Sequence, residues 1–264
     1  MTRLNDLSIS GMGKVNGGIF SNVNISGLGT ILGDVEAERI VISGKGTIEG
    51  NTKASRKIDI SGMGRITGNV EGTEITSSGT GTIDGNLQCD RVETSGNLKI
   101  GGSAKVIELV TDGRCKIDGS LKAEKMIISH GYLSVGSDVE SEEFISKGSF
   151  AIEGLLNANR IDIEIKGFCK VKEIGGEEIS VRNRYVNLAI LSKFVSSFLG
   201  NGRELDKLAV QLVEGTVISL EYTHAGIVRG NNVKIGPECT IEEVEYADNL
   251  EIDPTSIVKR QTKM

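Results

Sequence analysis

A fourteen-residue phrase returns again and again along the first two-thirds of this chain, and it restricts the fold more than any other feature. NISGLGTILGDVEA is followed by VISGKGTIEGNTKA, DISGMGRITGNVEG and TSSGTGTIDGNLQC, and looser copies continue to ISKGSFAIEGLLNA. Aligned on one marker glycine, the copies begin at Gly11, Gly27, Gly44, Gly62, Gly79, Gly96, Gly113, Gly131, Gly148 and Gly167, with steps of 16 to 19 residues. A fixed period of this length is the signature of a stacked repeat, so it takes precedence over any local reading.

Apolar residues hold fixed offsets within each copy. Four positions before the marker lie Leu7, Val23, Ile40, Ile58, Ile75, Val92, Leu109, Ile127, Phe144 and Ile163. Four positions after it lie Val15, Ile31, Ile48, Ile66, Ile83, Ile100, Ile117, Val135, Ile152 and Val171. Eight positions after comes a looser apolar column, from Ile19, Val35 and Thr52 to Leu156, and ten after a mostly small one, from Ser21, Ala37 and Ala54 to Ala158. The spacing inside a copy is two, the period of a strand. Three short strands occupy about one long period, so the reading is an all-β solenoid of roughly ten coils, with the columns as its interior ladders. Ile and Val suit such a pleated interior.

One pair of positions tests the stacking. Two before the marker, the early copies carry Ile9, Ile25, Ile42 and Ile60; two after it they carry Gly13, Gly29, Gly46 and Gly64. Later the sizes swap, to Thr94, Thr111, Ser129 and Ser146 against Leu98, Cys115, Leu133 and Phe150. Close-packed interiors require that compensation if both positions point inward near one corner.

The repeat fades near residue 180, giving a β-helix rod over 1–182, a helical connector over 183–215 and a C-terminal β-coil tail over 216–264. In the connector, Leu188, Leu191, Val195, Phe198 and Leu199 have helical spacing, ended by Gly200 to Gly202. A second helix is expected over 204–213, with Leu205, Leu208, Ala209 and Leu212 on one face, completing a helical hairpin. The first helix has one lysine, Lys193, on its polar face, so packing on the solenoid is favoured over a lipid surface. Val233, Ile235, Cys239 and Ile241 mark the tail as a small β-solenoid.

Chemistry is sparse by comparison. No G-x-x-x-x-G-K-[ST] string occurs, and the G-x-G pairs recur between strands rather than before a helix, so they read as corners, not phosphate cradles. The two histidines, His130 and His224, stand apart; His130 adjoins a corner glycine and faces solvent. Cys89, Cys115 and Cys169 fall on inward columns and Cys239 alternates with Ile241, with no C-x-x-C spacing, so a metal site and disulfides are not expected. Glu177 and Glu178, and Glu242, Glu243 and Glu245, read as solvated charge. The net charge of −6 and the absence of a basic cluster along the chain argue against a nucleic-acid partner. No stretch is long and apolar enough for a membrane span, and the first residues lack the core of a signal peptide. No catalytic residue and no cofactor are expected.

The recurring G-x-[IV]-x-G-[DN]-[VL]-x-[AG] units, at Gly29–Ala37, Gly64–Gly72 and Gly81–Cys89, resemble those of the bactofilins, bacterial polymer-forming cytoskeletal proteins. The resemblance covers roughly residues 5 to 175. It implies a right-handed three-sided β-helix that assembles end to end into nucleotide-independent filaments, with itself as the first partner. A second bactofilin and cell-envelope or motility proteins are the further partners implied, in cell shape or motility, in the cytoplasm or peripherally at the inner face of the membrane. The proline-rich tails of many members are absent here, and MTRLNDL is at best a poor match to their apolar N-terminal anchor; the connector and tail resemble a longer Gram-positive subgroup. Solenoid ends leave backbone groups and apolar columns unpaired, so Leu7, Ile9, Val15 and Ile19 at the first coil, and Phe168 and Val171 at the last, are the candidate self-assembly residues. Two other readings compete: a β-helix adaptor that does not polymerise, and a hexapeptide-type acyltransferase, for which VKIGPECTI and His224 are the only support.

Overall fold

The computed structural model describes residues 4–183 and 207–264. Among them all regular structure is β, in two compact units, Met1–Glu140 and Ser141–Met264.

In the first unit each coil contributes three strand segments around a shared interior, and each segment pairs in parallel with its equivalent one coil on. The column after the marker glycine is an unbroken ladder: Ile31 pairs with Ile48, then Ile66, Ile83, Ile100, Ile117 and Val135 in succession. The column before the marker runs likewise through Ile40, Ile58, Ile75, Val92, Leu109 and Ile127. These side chains are almost wholly buried, each contributing about 1.5–3 kcal/mol by burial. A slip of one residue would turn every one of them to solvent, which fixes the register.

The coil length varies without disturbing the ladders, because extra residues are absorbed at one corner. Between the second and third faces, Ala37 and Arg39 oppose Ala54 and Lys57, so the coil with Ser55 and Arg56 carries one more residue. Met126 follows Ala123 in the same way. These bulges keep the inward columns aligned while the step changes from 17 to 18.

The size exchange is a packing event. A Cβ at Gly64 would lie 3.0 Å from Ile60 Cγ2 and 3.2 Å from Ile42 Cδ1, so the isoleucines occupy the space that glycine vacates. The fifth coil carries small residues at both positions, Ser77 and Gly81. Ile60 Cδ1 from the preceding coil and Leu98 Cδ1 from the following one fill the gap, 3.2 and 3.0 Å from where a Gly81 Cβ would be. Beyond it the larger side chain comes from the other position. The exchange leaves hydroxyls in the interior: Thr94 Oγ1 donates to the Ser77 carbonyl at 3.0 Å, whereas the hydroxyls of Thr111 and Ser129 have no partner among the described residues. An unpaired buried hydroxyl costs on the order of 1 kcal/mol or more.

The first coil departs from the expected alignment. Gly18, not Ile19, pairs with Val35, and Phe20, not Ser21, pairs with Ala37. A register shift after Asn16 turns Ile19 outward, where it is 60% exposed.

In the second unit the strands Ser149–Glu164, Cys169–Arg182, Leu208–Leu220, Thr223–Ile235, Thr240–Ile252 and Ile257–Lys263 stack in parallel in chain order. The helix expected over 204–213 is therefore corrected: from Leu208 onward the chain is strand. Val213 pairs with Ile174, and Ile218 with Ile179. A preformed edge offers Val210, Val213 and Ile218 a buried ladder, and this outweighs the helical spacing of Leu205, Leu208 and Leu212. The first helix of the expected hairpin, over 188–199, lies outside the described residues. The expected tail does form solenoid coils, stacked directly on the strand Cys169–Arg182.

The marker glycines permit a close approach of successive coils. A Cβ at Gly62 would fall 2.2 Å from the Gly44 carbonyl oxygen and 2.4 Å from that of Ser43; Gly27, Gly44, Gly79, Gly96, Gly113 and Gly131 meet the preceding coil in the same way. A Cβ at Gly11 has nothing within 4 Å among the described residues. In urea unfolding, Gly62→Ala is expected to lose about 1–3 kcal/mol, because backbone must move, and Gly11→Ala to stay within about 0.5 kcal/mol of the parent. Equal losses at both positions would contradict this account of the corner.

Candidate self-assembly surface

The first coil is the place where the interior columns reach an edge. Leu7 pairs with Val23 and Val15 with Ile31 on one side only among the described residues. Both are half-buried, whereas Val23 is 1% and Ile31 0% exposed. Ile9 is more enclosed, at 6%. Leu4, Met12 and Ile19 stand exposed around it. The edge strand Leu7–Ile9 carries no charged side chain, and charges are the usual device that keeps a strand edge from pairing with another chain. Asp6 is engaged: its carboxylate accepts from the Asn22 backbone N–H at 3.1 Å and from Asn22 Nδ2 at 2.9 Å.

The strand Ile257–Lys263 at the other end of the described chain is different in kind. Ile257 is 60% exposed, but Lys259, Arg260 and Lys263 line the same strand. Lys259 bonds Glu242 at 2.7 Å and Arg260 bonds Glu243 at 2.8 Å. This edge is blunted by charge; the first coil's edge is not.

Phe168 and Val171 lie in the second unit and are not on an open edge. Phe168 is 61% exposed, beside Gly167 with φ +84°. Val171 is buried in the strand Cys169–Arg182, which is paired on both sides, with Ser149–Glu164 and with Leu208–Leu220. The stack continues past the point where the repeat becomes unreadable in sequence.

A set of residues that the sequence reading passed over holds one corner of the first unit. Asp34 Oδ1 accepts from the Asn51 backbone N–H at 2.7 Å, Asn51 Oδ1 from that of Asn69 at 2.9 Å, and Asn69 Oδ1 from that of Asn86 at 2.8 Å. Asn86 Oδ1 accepts from Ser103 N–H at 2.8 Å, and Ser103 Oγ from Ser120 N–H at 3.1 Å. The [DN] after the second glycine of each unit was the signal: each side chain completes the backbone pairing that the turn interrupts. The ladder borders a groove of about 820 Å³ on the second face, whose lining holds no histidine or cysteine.

The remaining reactive groups are placed structurally. Burial pushes the Cys89 thiol up to about 11 and the Cys115 thiol up to about 12; Cys169 and Cys239 are buried too. His130 Nδ1 lies 2.7 Å from Asp112 Oδ1 on the exposed corner. His224 is exposed, with Ala209 and Thr240 as its ladder neighbours. Among the described residues no helix is long and apolar enough to cross a membrane.

Two outcomes are expected. Asn69→Ala, which leaves the Asn86 N–H without its acceptor, is expected to cost about 1 kcal/mol in urea unfolding; no change would show that water replaces the ladder. A thiol reagent at pH 8 is expected to label the native protein negligibly and to label all four cysteines after denaturation. Fast labelling of the native protein would contradict the buried placement.

Comparison with known proteins agrees with the coil geometry. Residues 2–79 match the family model described as Bactofilin, polymer-forming cytoskeletal. The uncharacterized protein YhbE of Bacillus subtilis is 38% identical over 114 residues, 43% of this chain and 44% of that protein. The uncharacterized protein YhbF of the same organism is 38% identical over 112 residues, 42% of each. The matched segment thus spans less than half of either relative. No solved structure matches the chain. Over residues 2–79, which form glycine-cornered parallel coils, the chain is similar to the bactofilins, a family described as polymer-forming cytoskeletal.

Proposed function

We propose that this chain is a non-enzymatic scaffold that assembles end to end into filaments without nucleotide and positions other proteins, of the envelope or of motility, along its sides. The observation that carries the reading is the first coil: among the described residues, Gly11 has open space where every following marker glycine down to Gly131 meets a carbonyl. Leu7 and Val15 are half-exposed where their equivalents one coil on are enclosed. A further coil laid on this edge would bury Leu7 and Val15 and pair with the outer side of the strand Leu7–Ile9. Ile9 supports them from within, and Ile19 with Met12 widens the contact. Phe168 supplies a separate exposed apolar contact in the second unit; Val171, enclosed, enters none.

Electron microscopy and sedimentation of the purified protein, with no nucleotide present, test the reading. Filaments are expected. Gly11→Arg places a long cation in the open space without touching the coil itself, so it is expected to keep the fold by circular dichroism and abolish assembly. Leu7→Asp is expected to do the same with some loss of stability. A protein that stays monomeric at tens of micromolar overturns the proposal, and filaments from folded Gly11→Arg would move the contact away from the first coil.

A further inference from the structure

Charges that alternate in sign along the sequence are sorted by the coil period, and two neighbouring outward rows on the first face of the first unit collect only one sign. One runs Met12, Leu28, Lys45, Met63, Thr80, Asn97, Arg114, Tyr132; the other runs Lys14, Thr30, Thr47, Arg65, Thr82, Lys99, Lys116, Ser134. These two rows hold six cations and no carboxylate, in a chain whose net charge is −6. A third outward row, Asn16, Leu32 and Glu49, flanks these two. The other two faces do not sort this way. The outward row of the second mixes Glu36, Lys53, Glu71, Gln88 and Lys105, and that of the third mixes Arg39, Lys57, Glu74, Arg91 and Glu108.

The first face is also flat. Its ladders run without a register shift from Leu28 to Val135, whereas the bulges fall elsewhere in the coil. At about 4.8 Å per rung the rows extend roughly 34 Å. Carboxylates flank the two rows: Asp84 bonds Arg65 at 2.8 Å, Asp118 bonds Lys116 at 2.8 Å and Lys99 at 3.2 Å, and Glu49 ends the strand of Lys45 and Thr47. Lys14, Lys45 and Arg114 have no carboxylate partner among the described residues, and Arg114 lies over the Tyr132 ring, 5.0 Å from its centroid. Between the cations stand Met12, 86% exposed, Leu28, 50%, and Met63, 56%.

We propose that this face docks on an anionic lipid surface. Long unbranched and aliphatic side chains set among unpaired cations match a bilayer interface, where phosphate groups take up the cations and the acyl boundary takes up the apolar tips. A nucleic acid would use the cations alone and would leave Met12, Leu28 and Met63 in water. The site involves no helix and no terminal anchor. It is distinct from the edge proposed for assembly, which it touches only at the first coil.

Flotation with vesicles of phosphatidylglycerol and phosphatidylcholine, against vesicles of phosphatidylcholine alone, tests it. The chain is expected to float with the anionic vesicles and not with the neutral ones. Lys45→Glu with Arg114→Glu is expected to lower the bound fraction at least about tenfold, and Leu28→Ser with Met63→Ser at least about fivefold. All four positions point to solvent, so the variants are expected to keep the fold. The Gly11→Arg chain, measured alongside, separates docking from assembly: it is expected to retain selectivity for anionic vesicles with lower avidity. No flotation with anionic vesicles overturns the proposal, as does flotation unaffected by either pair. Duplex DNA that binds equally to the parent and to Leu28→Ser/Met63→Ser, with vesicle binding likewise unchanged in that variant, would assign the face to polyanions in general and overturn the lipid reading.

Discussion

Successive coils in this protein approach until the Cα of each marker glycine sits against the carbonyls of the coil before it. A side chain there would need space already taken by backbone, with a Cβ at Gly27, Gly79 or Gly96 only 2.1 Å from the preceding marker's oxygen. Parallel strands hydrogen-bond only when the coils are this near, and the corner is where bulk would force them apart. Glycine at the corner therefore allows the ladders, and the ladders bury the isoleucine columns. The asparagine ladder on another corner completes the same pairing by side chain where the backbone turns away. An arrangement that lets each coil rest on its predecessor has no internal reason to stop, and the open space at Gly11 is that property seen at an edge.

Much of this was legible because the period, not any single residue, carried it. The columns at four before and four after the marker correspond one for one to the paired ladders of the first unit, and the exchange of Ile60 and Gly64 for Thr94 and Leu98 is the compensation that inward-facing neighbours require. The errors fall where the period is irregular. A count of eight from Gly11 puts Ile19 inside only without a register shift, and one residue of slip reverses a strand's faces. Over residues 208–213 the sequence predicts helix because Leu205, Leu208 and Leu212 also fit helical spacing, and a short apolar run does not by itself distinguish the two. The edge already formed by Ile174 and Ile179 decides the matter, and that edge is a tertiary fact. The asparagines were visible as a motif, yet their role depends on a bond to the following coil's backbone, about seventeen residues away.

Charge shows the same dependence most sharply. Read along the chain, Lys45, Glu49, Lys53 and Arg65 suggest an evenly solvated exterior. Taken modulo the coil, Lys45 and Arg65 share a face with Lys99 and Lys116, while Lys53 goes to another beside Glu36 and Glu71. A solenoid thus assigns its surface by position within the repeat: the inward columns bind coil to coil, the edge residues meet whatever continues the stack, and each outward row is free to acquire a character of its own. Substitutions in an outward row disturb neither the columns nor the corner glycines, so a solenoid of this kind can change the character of its sides while its stacking stays the same. The cationic, methionine-bearing first face and the ion-paired second face show that the rows have already diverged within one unit.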